Sequence, residues 1–166
     1  METSIPAAVI AAILIVSAMV LARTGYHSFD NMGQVWKEME ARSTEQVHTR
    51  VTIGNVTSSS PHVDADLQND GSTTLAGYDR MDVLVEYTTG GGAPVLAWIP
   101  YTNGALAPNT WTIQNIINDA FEPGFLNPSE TLEMRIWLDP PAGVGTTNRL
   151  LIATELGVTV STVFTG

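Results

Sequence analysis

The sequence predicts an α+β protein: a long N-terminal α-helix with an apolar first half, followed by an antiparallel Ig-like β-sandwich of about seven strands. Three observations lead there. No charged residue occurs between Glu2 and Arg23. From Tyr26 to Val47 apolar residues recur every three or four positions, the helical period. From Arg50 onward the period becomes two, and clusters of turn formers separate the runs.

The helix is expected over about Ser4 to Thr49. Pro6 sits in its first turn, where a missing N–H does no harm, and Ser4 or Thr3 can cap it. The run Ile5–Ala22 at 1.5 Å per residue spans roughly 27 Å, close to a bilayer's hydrocarbon thickness. A cleavable secretory signal needs a basic leading segment and a shorter apolar stretch. Met1 to Ser4 holds no Lys or Arg, so the stretch is expected to be retained, with any basic leader absent or already removed. Beyond Arg23, Tyr26, Phe29, Met32, Val35 with Trp36, Met39 and Val47 make one apolar face, and Lys37, Glu38, Glu40, Arg42 and Glu45 make the other.

In the second part, Val51 and Ile53 alternate, as do Val63, Ala65 and Leu67, and Met81, Val83, Val85 and Tyr87. Val95 to Tyr101, Trp111 to Ile113, Leu132 to Leu138, Leu150 with Ile152, and Val158 with Val160 continue the series. Asn69–Thr74, Thr88–Pro94, Glu122–Glu130 and Asp139–Gly145 supply the turns, and the glycines at 90–92 read as a hairpin tip. Asn115–Phe121, "NIINDAF", reads as a single helical turn. The domains are therefore 1–50, the helix, and 51–166, the sandwich, rigidly joined near Arg50.

Composition excludes several functions. Seven Lys and Arg against seventeen Asp and Glu give a net charge of −10, so no nucleic-acid partner is expected. Four basic and five acidic residues lie up to Arg50, leaving three and twelve beyond it; the acidity belongs to the sandwich. The absence of cysteine removes disulfides, thiolate nucleophiles and Cys-ligated zinc.

The histidines, His27, His48 and His62, are far apart and read as surface residues. The densest acids, Asp64, Asp66 and Asp70, fail the EF-hand spacing, because Asn69 and Leu75 occupy the places of its glycine and glutamate. They read as an outward strand face. No nucleophile elbow, Walker loop or zinc-protease motif occurs. The chain is accordingly read as no enzyme, with no catalytic, cofactor or metal site. Asn55-Val56-Thr57 is a glycosylation sequon, making Asn55 a candidate acceptor.

Small residues spaced by four line the helix: Ala7 with Ala11, Ala8 with Ala12, Ala18 with Ala22. Such strips let another helix approach closely. Together with Tyr26, Phe29, Met32, Trp36 and Met39 they form the candidate helix-packing interface. Exposing even ten of the apolar side chains to water would cost on the order of 15 to 30 kcal/mol, so a free soluble monomer is excluded.

An apolar N-terminal helix running into an amphipathic half, then a sandwich with segments such as "VTIGNV", "LQNDGSTTL" and "LNPSETLEMRIWL", resembles the archaellin family, archaeal-type flagellins on a type IV pilin-like plan. The resemblance implies a secreted structural protein held in the cytoplasmic membrane before assembly, cut by a prepilin-type peptidase and packed by an ATPase-driven platform. The product is an extracellular filament, a homopolymer for motility or adhesion, with helices in its core and often glycosylated sandwiches in its sheath. The chain departs from bacterial type IV pilins, which usually place Glu at the fifth mature position, where it has Ile5. The same plan occurs in archaellum accessory, stator-like proteins, whose helix stays in the membrane while the sandwich grips the envelope. The apolar stripe beyond Arg23 favours the filament, because a lone anchor needs no such stripe.

Overall fold

The computed structural model describes the backbone of residues 4–166, and the side chains among them except those of 4–8, 11–12 and 21–31. The chain divides into two compact units, Met1–Ser43 and Thr44–Gly166.

Helix α1 runs Ser4–His48. Its last turn belongs to the second unit, and two contacts of Thr49 end it. The Thr49 hydroxyl donates to the Glu45 carbonyl at 2.7 Å, and its amide donates to Gln46 at 3.3 Å. These satisfy carbonyls that the end of a helix leaves open.

Among the described residues eight strands follow: β1 (Val51–Ser59), β2 (His62–Asn69), β3 (Asp82–Thr88), β4 (Pro94–Ile99), β5 (Trp111–Ile117), β6 (Thr131–Trp137), β7 (Thr147–Ala153) and β8 (Thr159–Thr165). They form two antiparallel four-stranded sheets, ordered β1-β2-β6-β5 and β4-β3-β7-β8. The fold is thus a β-sandwich, with eight strands rather than about seven. "NIINDAF" is corrected as well, since Asn115, Ile116 and Ile117 continue β5. The register against β6 slips between Ile113 and Asn115, and that bulge breaks the period-two pattern a strand would show.

The core lies between the sheets. Val63, Ala65 and Leu67 of β2, Val83, Val85 and Tyr87 of β3, Leu132, Met134 and Ile136 of β6, and Leu150 and Ile152 of β7 are buried. Each set alternates with outward residues, so one register fixes both faces of its strand. Trp111 closes one end under Tyr101, with ring centroids 4.8 Å apart.

The turn after β2 is held from inside. Asn69 is fully buried; its side-chain amide donates to the carbonyls of Thr73 and Leu126 at 2.8 and 3.0 Å. Its side-chain oxygen accepts from the Gly71 amide at 3.1 Å. The same turn clasps the segment leading into β1, because the Asp70 amide donates to Arg50 at 2.8 Å and the Ser72 amide to His48 at 2.9 Å. A Cβ on Gly71 would lie 2.5 Å from both the Arg50 nitrogen and the His48 oxygen, backbone atoms that cannot yield separately. Gly71→Ala should therefore destabilise the protein by about 1–3 kcal/mol; thermal unfolding of the full chain in detergent should show a lower midpoint, and an unchanged midpoint would contradict this packing.

Candidate interaction surfaces

The sheets offer outer faces of opposite character. On β1-β2-β6-β5, cross-strand pairing sets Thr57, Asp64, Arg135 and Thr112 in one row, and Asp66, Glu133 and Asn115 in the next. Arg135 binds Asp64 through two hydrogen bonds, 2.6 and 2.8 Å. Hydrogen bonding to Asp64, and its charge, raise the Arg135 pKa further. Asp66 faces Glu133 directly. Partial burial, and then the charges of Glu133 and Asp64, push its carboxyl up from the ordinary value. This face is polar and makes its own contacts.

The outer face of β4-β3-β7-β8 is largely apolar. One row reads Leu96, Glu86, Arg149, Val163, and the next Trp98, Leu84, Leu151, Ser161. Leu96 is 71% exposed, Trp98 60% and Val163 60%. The Trp98 indole N–H donates to Asp82 at 3.0 Å, which fixes the ring on the surface. Glu86 and Arg149 are cross-strand neighbours, yet no ion pair joins them. The sequence reading missed this surface. The signal was present in β4, whose run Val95 to Ile99 is apolar on both faces, the pattern of a strand covered on both sides.

A groove of about 910 Å³ opens beside Tyr78, Tyr101, Asn103 and Asp79. Its one lining carboxylate is that of Asp79. Among the described residues no group of three His, Asp or Glu is placed to hold a metal ion. His48 is exposed, and His62 packs on Trp137 with ring centroids 5.3 Å apart. The side chain of His27 lies outside the described residues.

Of the candidate helix-packing residues, Ala18, Met32, Trp36 and Met39 are exposed. The side chains of Ala7, Ala8, Ala11, Ala12, Ala22, Tyr26 and Phe29 lie outside the described residues. Consecutive residues Ile13, Leu14, Ile15 and Val16 are all more than half exposed, so the described apolar surface goes around the helix rather than along one stripe. A helix of that kind is covered in its working state. Among the described residues no helix is long and apolar enough to cross a membrane; eight residues of Ile5–Ala22 fall outside the described side chains. Asn55 is exposed on the edge strand β1, in the register shift between Ile53 and Val56.

One internal clamp ties distant loops. The Glu155 carboxylate accepts from the amides of Ala76 and Gly77 at 3.1 and 3.0 Å and pairs with Arg80. Burial alone would raise its pKa; the two amides and the Arg80 guanidinium outweigh burial and hold it below the usual glutamate value.

No protein-family model matches the chain, and no curated protein does. Solved structures do match. FlaG, an archaellum periplasmic stator protein from Sulfolobus acidocaldarius, is 26% identical, with a TM-score of 0.53 over 70% of this chain and 99% of that one. A stator complex of FlaF and FlaG from the same organism matches at 27% identity and a TM-score of 0.53, over 70% of this chain and 89% of that one. The archaeal flagellum of Methanospirillum hungatei strain JF1 matches at 14% identity and a TM-score of 0.57, over 98% and 93%. These structural neighbours are all archaellum components, and at 14% identity the last likeness is one of fold.

The two carboxylates give opposite pH effects. Glu155, depressed on folding, stabilises the protein above the ordinary glutamate pKa, and this contribution is lost as the pH falls through its lower folded value. Asp66, raised on folding, weakens the protein at neutral pH, and protonation relieves the strain. Asp66→Asn should accordingly raise stability at pH 7 by a few tenths to about 1 kcal/mol, since it removes a like-charge cross-strand pair. Glu155→Gln should lower stability at pH 7 and flatten its decline below about pH 4.5. Denaturant unfolding of both variants between pH 3 and 7 checks the signs.

Proposed function

We propose that this chain is an archaellum component of the stator type, held at the cytoplasmic membrane by α1 while its sandwich works on the outer side against other envelope or archaellum domains. The observation that carries this is the likeness to FlaG, above 25% identity over nearly all of that solved chain. Two features of the chain support it. The apolar part of α1 needs a permanent apolar surrounding, which a bilayer supplies. The outer face of β4-β3-β7-β8 carries exposed Leu96, Trp98 and Val163, a patch of the kind that marks a protein contact. The partners are then protein domains, and the chain does no covalent chemistry.

A second reading, subunit of the filament itself, is favoured by the fold match that spans helix and sandwich together. There α1 packs against identical helices, with Ala7, Ala8, Ala11, Ala12, Ala18 and Ala22 permitting close approach and Tyr26, Phe29, Met32, Trp36 and Met39 filling the outer core. Peptidase processing, the ATPase-driven platform and export belong to that reading. Asn55, exposed and at an irregular edge, is an accessible glycan acceptor in either case.

Cells sheared and separated into filaments and membranes decide between the two. The stator reading expects the chain to stay with membranes, and its deletion to leave filaments that are assembled but do not rotate. Recovery of the chain as the main protein of sheared filaments would replace it with the filament reading.

A further inference from the structure

We infer that the outer face of β4-β3-β7-β8 is a self-complementary interface, on which a second copy of this chain docks face to face about a two-fold axis. The axis runs parallel to the strands, midway between β3 and β7. The inference goes beyond the proposed function, because it stands on the register of one sheet and not on what the protein serves.

The reasoning begins with the cross-strand rows. Rotation about an axis parallel to the strands reverses their order, so β4 comes to lie over β8 of the second copy and β3 over β7, while position along the strand is kept. The row Leu96, Glu86, Arg149, Val163 then meets itself reversed. Leu96 falls on Val163 of the second copy, and Glu86 falls on its Arg149. The next row sets Leu84 on Leu151 and Trp98 beside Ser161. Apart from Trp98 beside Ser161, the apolar residues of these two rows meet apolar ones, and each charge meets its opposite.

That agreement depends on the sequence. Exchanging Glu86 for a basic residue would bring like charges together at both symmetric positions, and moving either charge to an edge strand would set it on an apolar residue of the second copy. Glu86 and Arg149 are exposed and unpaired with each other, although they are cross-strand neighbours, so each is available to a partner. A depression of about 260 Å³ bordered by Glu86, Pro94, Arg149 and Val163 adjoins the row, where Leu96 of the second copy arrives. Isologous contacts require such self-complementarity, and sheets stacked this way lie about 10 Å apart. The opposite sheet lacks the property: Asp64 and Arg135 already satisfy each other, and the row of Asp66 and Glu133 has no basic member among its described residues.

The absence of native cysteine allows a direct test on the full chain in detergent. Two variants, Leu96→Cys and Val163→Cys, are prepared separately and oxidised alone and mixed. The interface expects a cross-linked dimer in the mixture and little in either variant alone, since each introduced thiol faces the other position. Charge exchange gives the second readout by analytical ultracentrifugation. Glu86→Arg and Arg149→Glu should each weaken dimerisation about tenfold or more, and the double variant should recover most of the loss. Cross-linking of Leu96→Cys with itself, dimers indifferent to both charge variants because α1 alone holds them, or no dimer at all would each overturn the interface. So would a mixture that cross-links only to a different sandwich protein.

Discussion

The structure depends on the packing of two sheets whose inner side chains must fill one shared space. Four central strands, β2 and β6 in one sheet and β3 and β7 in the other, place Leu67, Leu132, Ile136, Val83, Val85, Leu150 and Ile152 there with almost no exposure. A side-chain period of two means that this choice also settles what faces outward. Asp64 and Arg135 are outward because Val63, Ala65, Met134 and Ile136 are inward, and Glu86 and Arg149 share a row because Val85 and Leu150 are opposed in the core. The surface chemistry is therefore a consequence of core register.

The loops keep that register from slipping. Asn69 reaches two carbonyls and one amide from a buried position, which ties the β2 turn to Leu126 in a loop far away in sequence. Glu155 does the same for the segment before β3, with two amides and a guanidinium on one carboxylate. Burying a polar group costs free energy unless its partners are present, so these side chains stabilise one arrangement and penalise its neighbours. Gly71 belongs to the same device, because the close approach of the turn to His48 and Arg50 leaves no room for a side chain.

Strands β2 and β6 were legible in the sequence because polar residues alternate with their core residues, and β3 and β7 because their core residues recur every second position even where Leu84 and Leu151 face outward. Strand β5 was half legible: Trp111 and Ile113 stood out, and the slip before Asn115 disguised the rest as a helical turn. Strand β4 was legible as a strand and not as a surface, since Val95 to Ile99 offers no polar alternation to say which side meets water. The charge row across β3 and β7 could not be read at all, because cross-strand neighbours are set by pairing between segments some sixty residues apart. The alanine strips of the helix were read from spacing alone, and among them the described side chain, Ala18, is exposed.

The contrast between the outer faces bears on how such a sandwich can be used. In a polar filament of identical subunits, every copy is related to the next by a screw about the filament axis, so a two-fold relation can exist only on that axis, which the packed helices occupy. Sandwiches in a sheath consequently meet through two different patches, never through one patch meeting itself. A face on which Glu86 answers Arg149, and Leu96 answers Val163, about a local two-fold suits a closed pair instead. Docked in that way, two sandwiches would keep the polar sheet, with its acidic row at Asp66 and Glu133, turned toward the surroundings. The register that builds the core also sets the four residues of that row side by side on the outer face.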